Sequence, residues 1–261
     1  MRKGRNILFG LLMGCILSAG GVGAASLRVD SIQVEESTQN LPRAIASSKE
    51  AMKKWARADA DVIQQLGSFL QSLQTGIREG DLSEEEAKEI LRVVQYVAEK
   101  HQAQMRTNKK QTPYVIHLLG VADQIMRIGK CYDVSVIMAS LLHDTVENTD
   151  VTYEDIKNLF GSKVASYVKE MNEDPKLSLK ERKRLQIVHA LSQNKAVAVI
   201  KMSDKLHNLT MLKNDPPAGW SAKKIDEYFL WAQAVVDNLP RVNEPLRQAL
   251  NQTINDYWEH Q

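Results

Sequence analysis

An apolar run, ASLL, ends directly in an imidazole and a carboxylate, His143 and Asp144, within the stretch ASLLHDTVENTD from Ala139 to Asp150. In a continuous helix Glu147 would follow four residues after His143 and three after Asp144, one turn along on the same broad face. Two groups of the same chemistry stand in or beside apolar runs elsewhere, His117 in TPYVIH and Asp204 in VIKMSDKLHN. A core that takes in these side chains must satisfy them, because burying polar or charged groups without partners is costly. Nitrogen and oxygen donors from three separate segments suit a divalent ion such as Mn2+, with water filling the open positions. His117, His143, Asp144 and Asp204 are therefore the candidate metal ligands, and the fold is expected to bring their three segments together.

Those segments read as helices. Ser83 followed by Glu84, Glu85 and Glu86 is a capping box with acids in the first turn, opening a helix that runs to about His101. Pro113 marks a fresh start, with His117 early in a helix continuing through Val121, Ile125 and Ile128. Asp133 to His143 gives another, and Thr152 with Asp155 caps one that ends near Phe160 and Gly161. Lys180 to Gln193 is rich in charged helix formers and leads into Lys195 to Leu212, whose AVAVIKMSD face is too apolar for an exposed helix. Val197 to Ile200 has strand propensity, but no hairpin signal follows. Pro216 and Pro217 break that helix, Ser221 to Leu239 supplies the next, and Pro240 ends it. An all-α domain over residues 83–261 is the simplest fit. Upstream, Ile45, Met52, Trp55, Val62, Leu66, Phe69 and Leu73 recur at helical spacings, so residues 41–76 read as one or two amphipathic helices. Together with a polar stretch they make residues 26–82 a linker and helical extension, packed on the main domain or on a partner.

The first 25 residues are of a different kind. Arg2, Lys3 and Arg5 precede a short apolar segment, Ile7 to Leu17, and the small residues Val22, Gly23 and Ala24 then offer a cleavage point before Ala25 or Ser26. This is the pattern of a secretory signal peptide, which predicts a periplasmic or secreted protein. Two alternatives remain open: an uncleaved anchor, disfavoured because a span needs about 20 apolar residues, and lipidation at Cys15. Cleavage would remove three of the 34 basic residues and none of the 32 acidic ones, leaving a formal charge of −1. With neither a basic face nor a recognition module, no DNA or RNA partner is expected. Only Cys131 would remain, so no internal disulfide can form and packing must hold the framework.

AEKHQAQMR, TPYVIHLLGVA, ASLLHDTVENTD, FGSKV and VIKMSDKLHNLTML resemble the hydrolase domain of the RelA/SpoT group in the metal-dependent HD superfamily. LSLKERKRLQ and GWSAKKIDEYFLWAQAVV bring the chain nearer to the small stand-alone members, the animal SpoT-like alarmone hydrolases. The resemblance runs from about Ser83 to the C-terminus and leaves no room for a synthetase domain. It implies an all-helical HD fold, a bound Mn2+ (another divalent ion being possible) and removal of the 3′-pyrophosphate from guanosine tetra- or pentaphosphate. It assigns the ion to His117, His143, Asp144 and Asp204, and the nucleophilic water to Glu147. Asn148 stands where the family usually has aspartate in HDxxED. By position Asn148 joins Glu147 as a catalytic residue; asparagine cannot accept a proton from water but can orient it, so Asn148→Asp is expected to raise turnover. By the same resemblance Arg106, Asn208 and Tyr228 contact the nucleotide; His101 reads as structural, and His189 and His207 are not ligands. Lys169 to Asn172 departs from the family pattern near the guanine pocket. Because guanosine tetraphosphate is ordinarily cytosolic, an exported enzyme would be consistent with another substrate, such as NADPH. A domain that kept the ion but lost water activation would instead bind nucleotides or a partner.

Overall fold

The structure, a computed structural model, describes residues 41–47 and 60–260; the leader, the polar linker, Met52 and Trp55 lie outside them. After a helical segment at 41–47 come α1 (Ala60–Glu79), α2 (Glu84–Lys100), α3 (Val115–Arg127), α4 (Val134–Leu142) and the single turn α5 (Thr145–Asn148). The chain continues through α6 (Tyr153–Phe160), α7 (Ser162–Met171), α8 (Leu179–Ala190), α9 (Lys195–Asn214), α10 (Ala222–Asn238) and α11 (Glu244–Glu259). Among the described residues there are two isolated β-bridges and no strand.

Local chemistry sets most boundaries. Ser83 caps α2 in a full capping box with Glu86, and Thr152 does the same for α6 with Asp155. Asp133, Ser178, Asn194, Ser221 and Asn243 each accept from a first-turn backbone N–H of the helix they precede. Gly161, at φ 92°, ends α6 and starts α7 in one residue, a backbone angle that a side chain would strain. Besides the single turn α5, two helices were not anticipated. α7 lies inside the FGSKV motif and its sequel, and α11 follows Pro240, where the expected final helix had ended.

α9 is the axis of the molecule. It packs on α3, α4, α7, α10 and α11, and Val197, Ala198, Ile200, Met202 and Leu209 are fully enclosed. Burial all round explains why its sequence is apolar on more than one face. The upstream extension joins the same core. Val62, Leu66, Phe69 and Leu73 of α1 are buried, chiefly against α3. Their contact is pinned by a buried carboxylate: Asp123 of α3 accepts from Ser72 at 2.6 Å, Ser68 at 2.8 Å and Arg127 at 3.2 Å. No helix of the described residues is long and apolar enough to cross a membrane.

Candidate metal centre and catalytic cavity

α3, α4 and α9 pack on one another, and each delivers its polar group to the same point. One donor atom each from His117, His143 and Asp204 lie within 4.8 Å of one another, all three residues being buried. His117 Nε2 is 3.3 Å from Asp204 Oδ1 and 3.5 Å from Asp144 Oδ2; His143 Nε2 is 3.2 Å from Asp144 Oδ2. Asp144 thus adjoins both imidazoles. The helix expected over Asp133 to His143 ends where it was expected to, so Glu147 does not continue the same helical face. α4 stops at Leu142, His143 caps it, and the chain turns at Asp144 (φ −99°, ψ −1°) into the separate turn α5. Glu147 consequently stands at the rim, 3.7 Å from the Arg182 guanidinium.

The residues fit a hard divalent cation, as one orphaned atom shows. His143 Nδ1 lies 2.7 Å from the Ser140 carbonyl, which can only accept, so Nδ1 carries the proton. That leaves Nε2 aimed into the cluster, buried and without a hydrogen-bond partner, although two carboxylates adjoin it. Donors held about 2 Å from one ion stand about 3 Å apart, close to the separations here. His117 is oriented from behind by His207, their Nδ1 atoms 3.0 Å apart. Burial and His117 hold the His207 pKa well below its usual value, so His207 is neutral. The arrangement that frees His117 Nε2 as a ligand has its Nδ1–H donating to His207 Nδ1. His207 is therefore not a ligand but the group behind one.

Electrostatics follow from enclosing two carboxylates beside two imidazoles. Burial opposes ionisation of Asp144 and Asp204, yet His143 and, for Asp204, Lys205 hold both well below the carboxylate range. Burial likewise disfavours charge on His143, but Asp144 and Asp204 outweigh it and push its pKa up to about 10. Glu147 moves the other way: burial and the Asp144 charge raise it, with Arg182 opposing.

Beside the cluster opens a cavity of about 310 Å³, whose walls include Glu147, Arg106, Arg182, Lys201 and Lys205. Arg106 donates to Asn208 Oδ1 at 2.6 Å, and Asn208 donates to Asp204 Oδ1 at 2.6 Å, so two expected substrate contacts are wired to a metal-site carboxylate. Tyr228 lies in a smaller adjoining pocket of about 120 Å³ that shares Arg106 and Asn208 and is also walled by Trp220.

Asn148 is not among the cavity-lining residues. Its amide donates to the Tyr114 hydroxyl at 3.0 Å, which donates to Asp144 Oδ2 at 2.6 Å. Tyr114 stacks on His101, which is held by Gln104 and Thr145 and has the structural role expected of it. In the departing segment, Asn172 donates to the His143 carbonyl at 3.3 Å and so holds the end of α4. Sequence reading gave no role to Tyr114, Arg182, Lys201 or Lys205. Helical spacing carried a signal for the last two, since Lys201, Asp204, Lys205 and Asn208 fall on one face of α9.

The HD-domain family signature matches residues 94–230. The guanosine-3′,5′-bis(diphosphate) 3′-pyrophosphohydrolase MESH1 of Drosophila melanogaster is 43% identical over 160 residues, 61% of this chain and 89% of that protein. Its Homo sapiens counterpart is 39% identical over 165 residues, 63% of this chain and 92% of that one. A solved structure, described as a metazoan ortholog of SpoT that hydrolyzes ppGpp, matches with a TM-score of 0.63 and 40% identity, covering 64% of this chain and 94% of that one. The ligand cluster lies within the residues that the family signature matches, and the chain belongs to the HD-domain family, closely related to the animal pyrophosphohydrolases of the SpoT type.

Proposed function

We propose that this protein is a divalent-metal-dependent hydrolase that removes the 3′-pyrophosphate of guanosine tetra- and pentaphosphate, giving GDP or GTP and pyrophosphate. The observation that carries this reading is the adjacency, in one cavity, of a buried His/His/Asp cluster and a wall of four cationic side chains. Such a wall suits a polyphosphate, and the likeness to guanosine-3′,5′-bis(diphosphate) pyrophosphohydrolases supports the guanosine class.

A divalent ion held by His117, His143, Asp144 and Asp204 would polarise a phosphoryl oxygen and acidify a bound water; Mn2+ is the ion we propose. Glu147, with its raised pKa, is poised to take the proton of the attacking water, and Arg182 keeps it at the cavity rim. Arg106, fixed by Asn208 and laid over Tyr114 at 5.6 Å, presents its guanidinium where the two pockets meet. A fork of that shape suits phosphate oxygens, while Tyr228 and Trp220 offer aromatic surface to the base or sugar.

The test is a panel of guanosine tetraphosphate, guanosine pentaphosphate, NADPH and simple mononucleotides, with the purified chain and added Mn2+. Pyrophosphate release from the first two, abolished by chelator and restored by Mn2+, is the expected result. Phosphate release from NADPH alone would move the substrate, and no release from any would leave a binding module. The pattern of residues 1–25 supports a further part of the proposal, export through a cleaved signal peptide, leaving 26–82 as an extension of the HD domain. N-terminal sequencing of protein from the producing cell should then begin near Ala25 or Ser26; an intact Met1 on cytosolic protein would refute export.

A further inference from the structure

Of the four cations around the cavity, three have partners. Arg106 donates to Asn208, Arg182 faces Glu147 at 3.7 Å, and Lys205 bonds Asp204 at 2.8 Å with Trp231 beneath it at 4.7 Å. Lys201 differs. It is only 2% exposed and among the largest fully buried side chains, yet its ammonium makes no hydrogen bond or salt bridge among the described residues. It lies one turn before Asp204 and Lys205 on α9 and lines the metal cavity. Burial and the nearby Lys205 draw its pKa down to about 8, with Glu173, Asp204 and Glu170 opposing from a distance. An amine on so buried a stem, open only to the cavity, is expensive to keep charged without a partner, and the stem could have been leucine if packing were its only task.

We propose that Lys201 is a phosphate-holding residue, whose ammonium is completed by a non-bridging oxygen of the substrate's phosphate groups beside the metal cluster. This deepens the phosphohydrolase reading and rests on it. A compact point charge with rotatable donors suits a phosphate that must shift as its bonds change. Placement one helical turn from a metal-ligating aspartate puts that charge beside the reacting group rather than the base. Lys201 thus acts as a binding group, with the water-activating role left to Glu147.

The experiment compares the Mn2+-loaded full chain with its Lys201→Met, Lys201→Gln and Lys201→Arg variants. Two readouts are taken: calorimetric binding of inorganic pyrophosphate, and kcat and KM for guanosine tetraphosphate. The proposal expects Lys201→Met and Lys201→Gln to weaken pyrophosphate binding by about tenfold or more, the worth of one charge-assisted hydrogen bond. Lys201→Arg should recover part of that loss. Removing an unpaired buried charge should leave the melting temperature of the ligand-free chain unchanged or higher, whereas a structural lysine would lower it. Should Lys201→Met fail to fold, Lys201→Gln keeps a polar tip and reads the same quantity. Wild-type pyrophosphate affinity in both variants, or no pyrophosphate binding by the wild type, overturns the proposal. If the wild type binds pyrophosphate through Lys201 but hydrolyses no guanosine polyphosphate, the guanosine reading fails and the phosphate site stands. If it hydrolyses them and the variants change neither readout, the reverse holds.

Discussion

Glu147 and Asn148 are neighbours in sequence with opposite tasks in the structure. Glu147 faces the cavity with a raised pKa, so its carboxylate form, the one able to take a proton, is lost as pH falls through a value above the usual 4.5. kcat/KM should therefore decline on the acid side with that apparent pKa. Glu147→Gln should lower kcat by at least about a hundredfold, the low end of what a positioned base supplies; wild-type turnover at full Mn2+ occupancy would remove Glu147 from the mechanism. The Asn148 side chain reaches the centre through Tyr114, and that argues against the expectation drawn from its type. The Tyr114 hydroxyl has one proton, which it gives to Asp144, and it can take the Asn148 amide N–H at the same time. An ionised aspartate at 148 would compete for that proton and has none to give. Asn148→Asp should thus reduce kcat by about fivefold, the equivalent of one hydrogen bond of about 1 kcal/mol. A gain in turnover at matched Mn2+ occupancy would show instead that a second carboxylate acts on the water.

At the level of elements, the centre depends on how closely α3 and α9 approach. A Cβ added at Gly120 would fall 2.2 Å from His207 Nε2, so the glycine leaves the room in which His207 stands behind His117. Gly120→Ala should displace His207, weaken Mn2+ binding by roughly tenfold, as loss of a supporting group commonly does, and lower stability by about 1–3 kcal/mol through overpacking. Unchanged metal affinity by titration would show that His207 does not orient the ligand. The α1 contact is a second case: Asp123→Ala strands Ser68, Ser72 and Arg127 together, and denaturant melts should show a loss of about 1–3 kcal/mol. These contacts also mark where the sequence was readable. Caps such as Ser83 and Thr152, and donors such as His117 and Asp204, are recognised by residue type at short spacing, and the helices and the cluster were legible for that reason. Asp123 looked like any helical aspartate paired with an arginine one turn on, because its serine partners lie 51 and 55 residues away. The helix end at His143 was legible, but the separate turn α5 that follows was not, because a two-residue link between helices leaves no proline or glycine. Tyr114 and Lys201 were in view, but what distinguishes them is which group they meet and which they do not.

For the whole molecule, the centre couples folding, protons and the cation. With protein groups alone, and against burial, Asp144 and Asp204 push the His143 pKa up to about 10, which favours a second proton on Nε2 as their counter-charge at neutral pH. Because its folded value lies above the unfolded value of about 6.5, the stability it confers is fully present below that lower value and is lost as pH rises through about 10. The two aspartates, held well below their usual range, contribute stability that is present above about pH 4 and lost on acidification. A cation can use His143 Nε2 only after its proton leaves, so binding exchanges one charge for another. Mn2+ binding at pH 7 should then release about one proton, visible as a dependence of calorimetric heat on the ionisation enthalpy of the buffer, and affinity should rise about tenfold per pH unit below pH 10. The rise in melting temperature on adding Mn2+ should accordingly grow from pH 6 to pH 8.5, as proton competition weakens while the cation-free chain slowly loses its imidazolium. A metal-induced shift that is flat across this range, with no proton released, would mean that His143 is already neutral before the cation arrives. In that case the two carboxylates would have to be held by His117, Lys205, Tyr114 and Asn208, and Lys205→Met should then cost the cation-free chain far more than His143→Ala does.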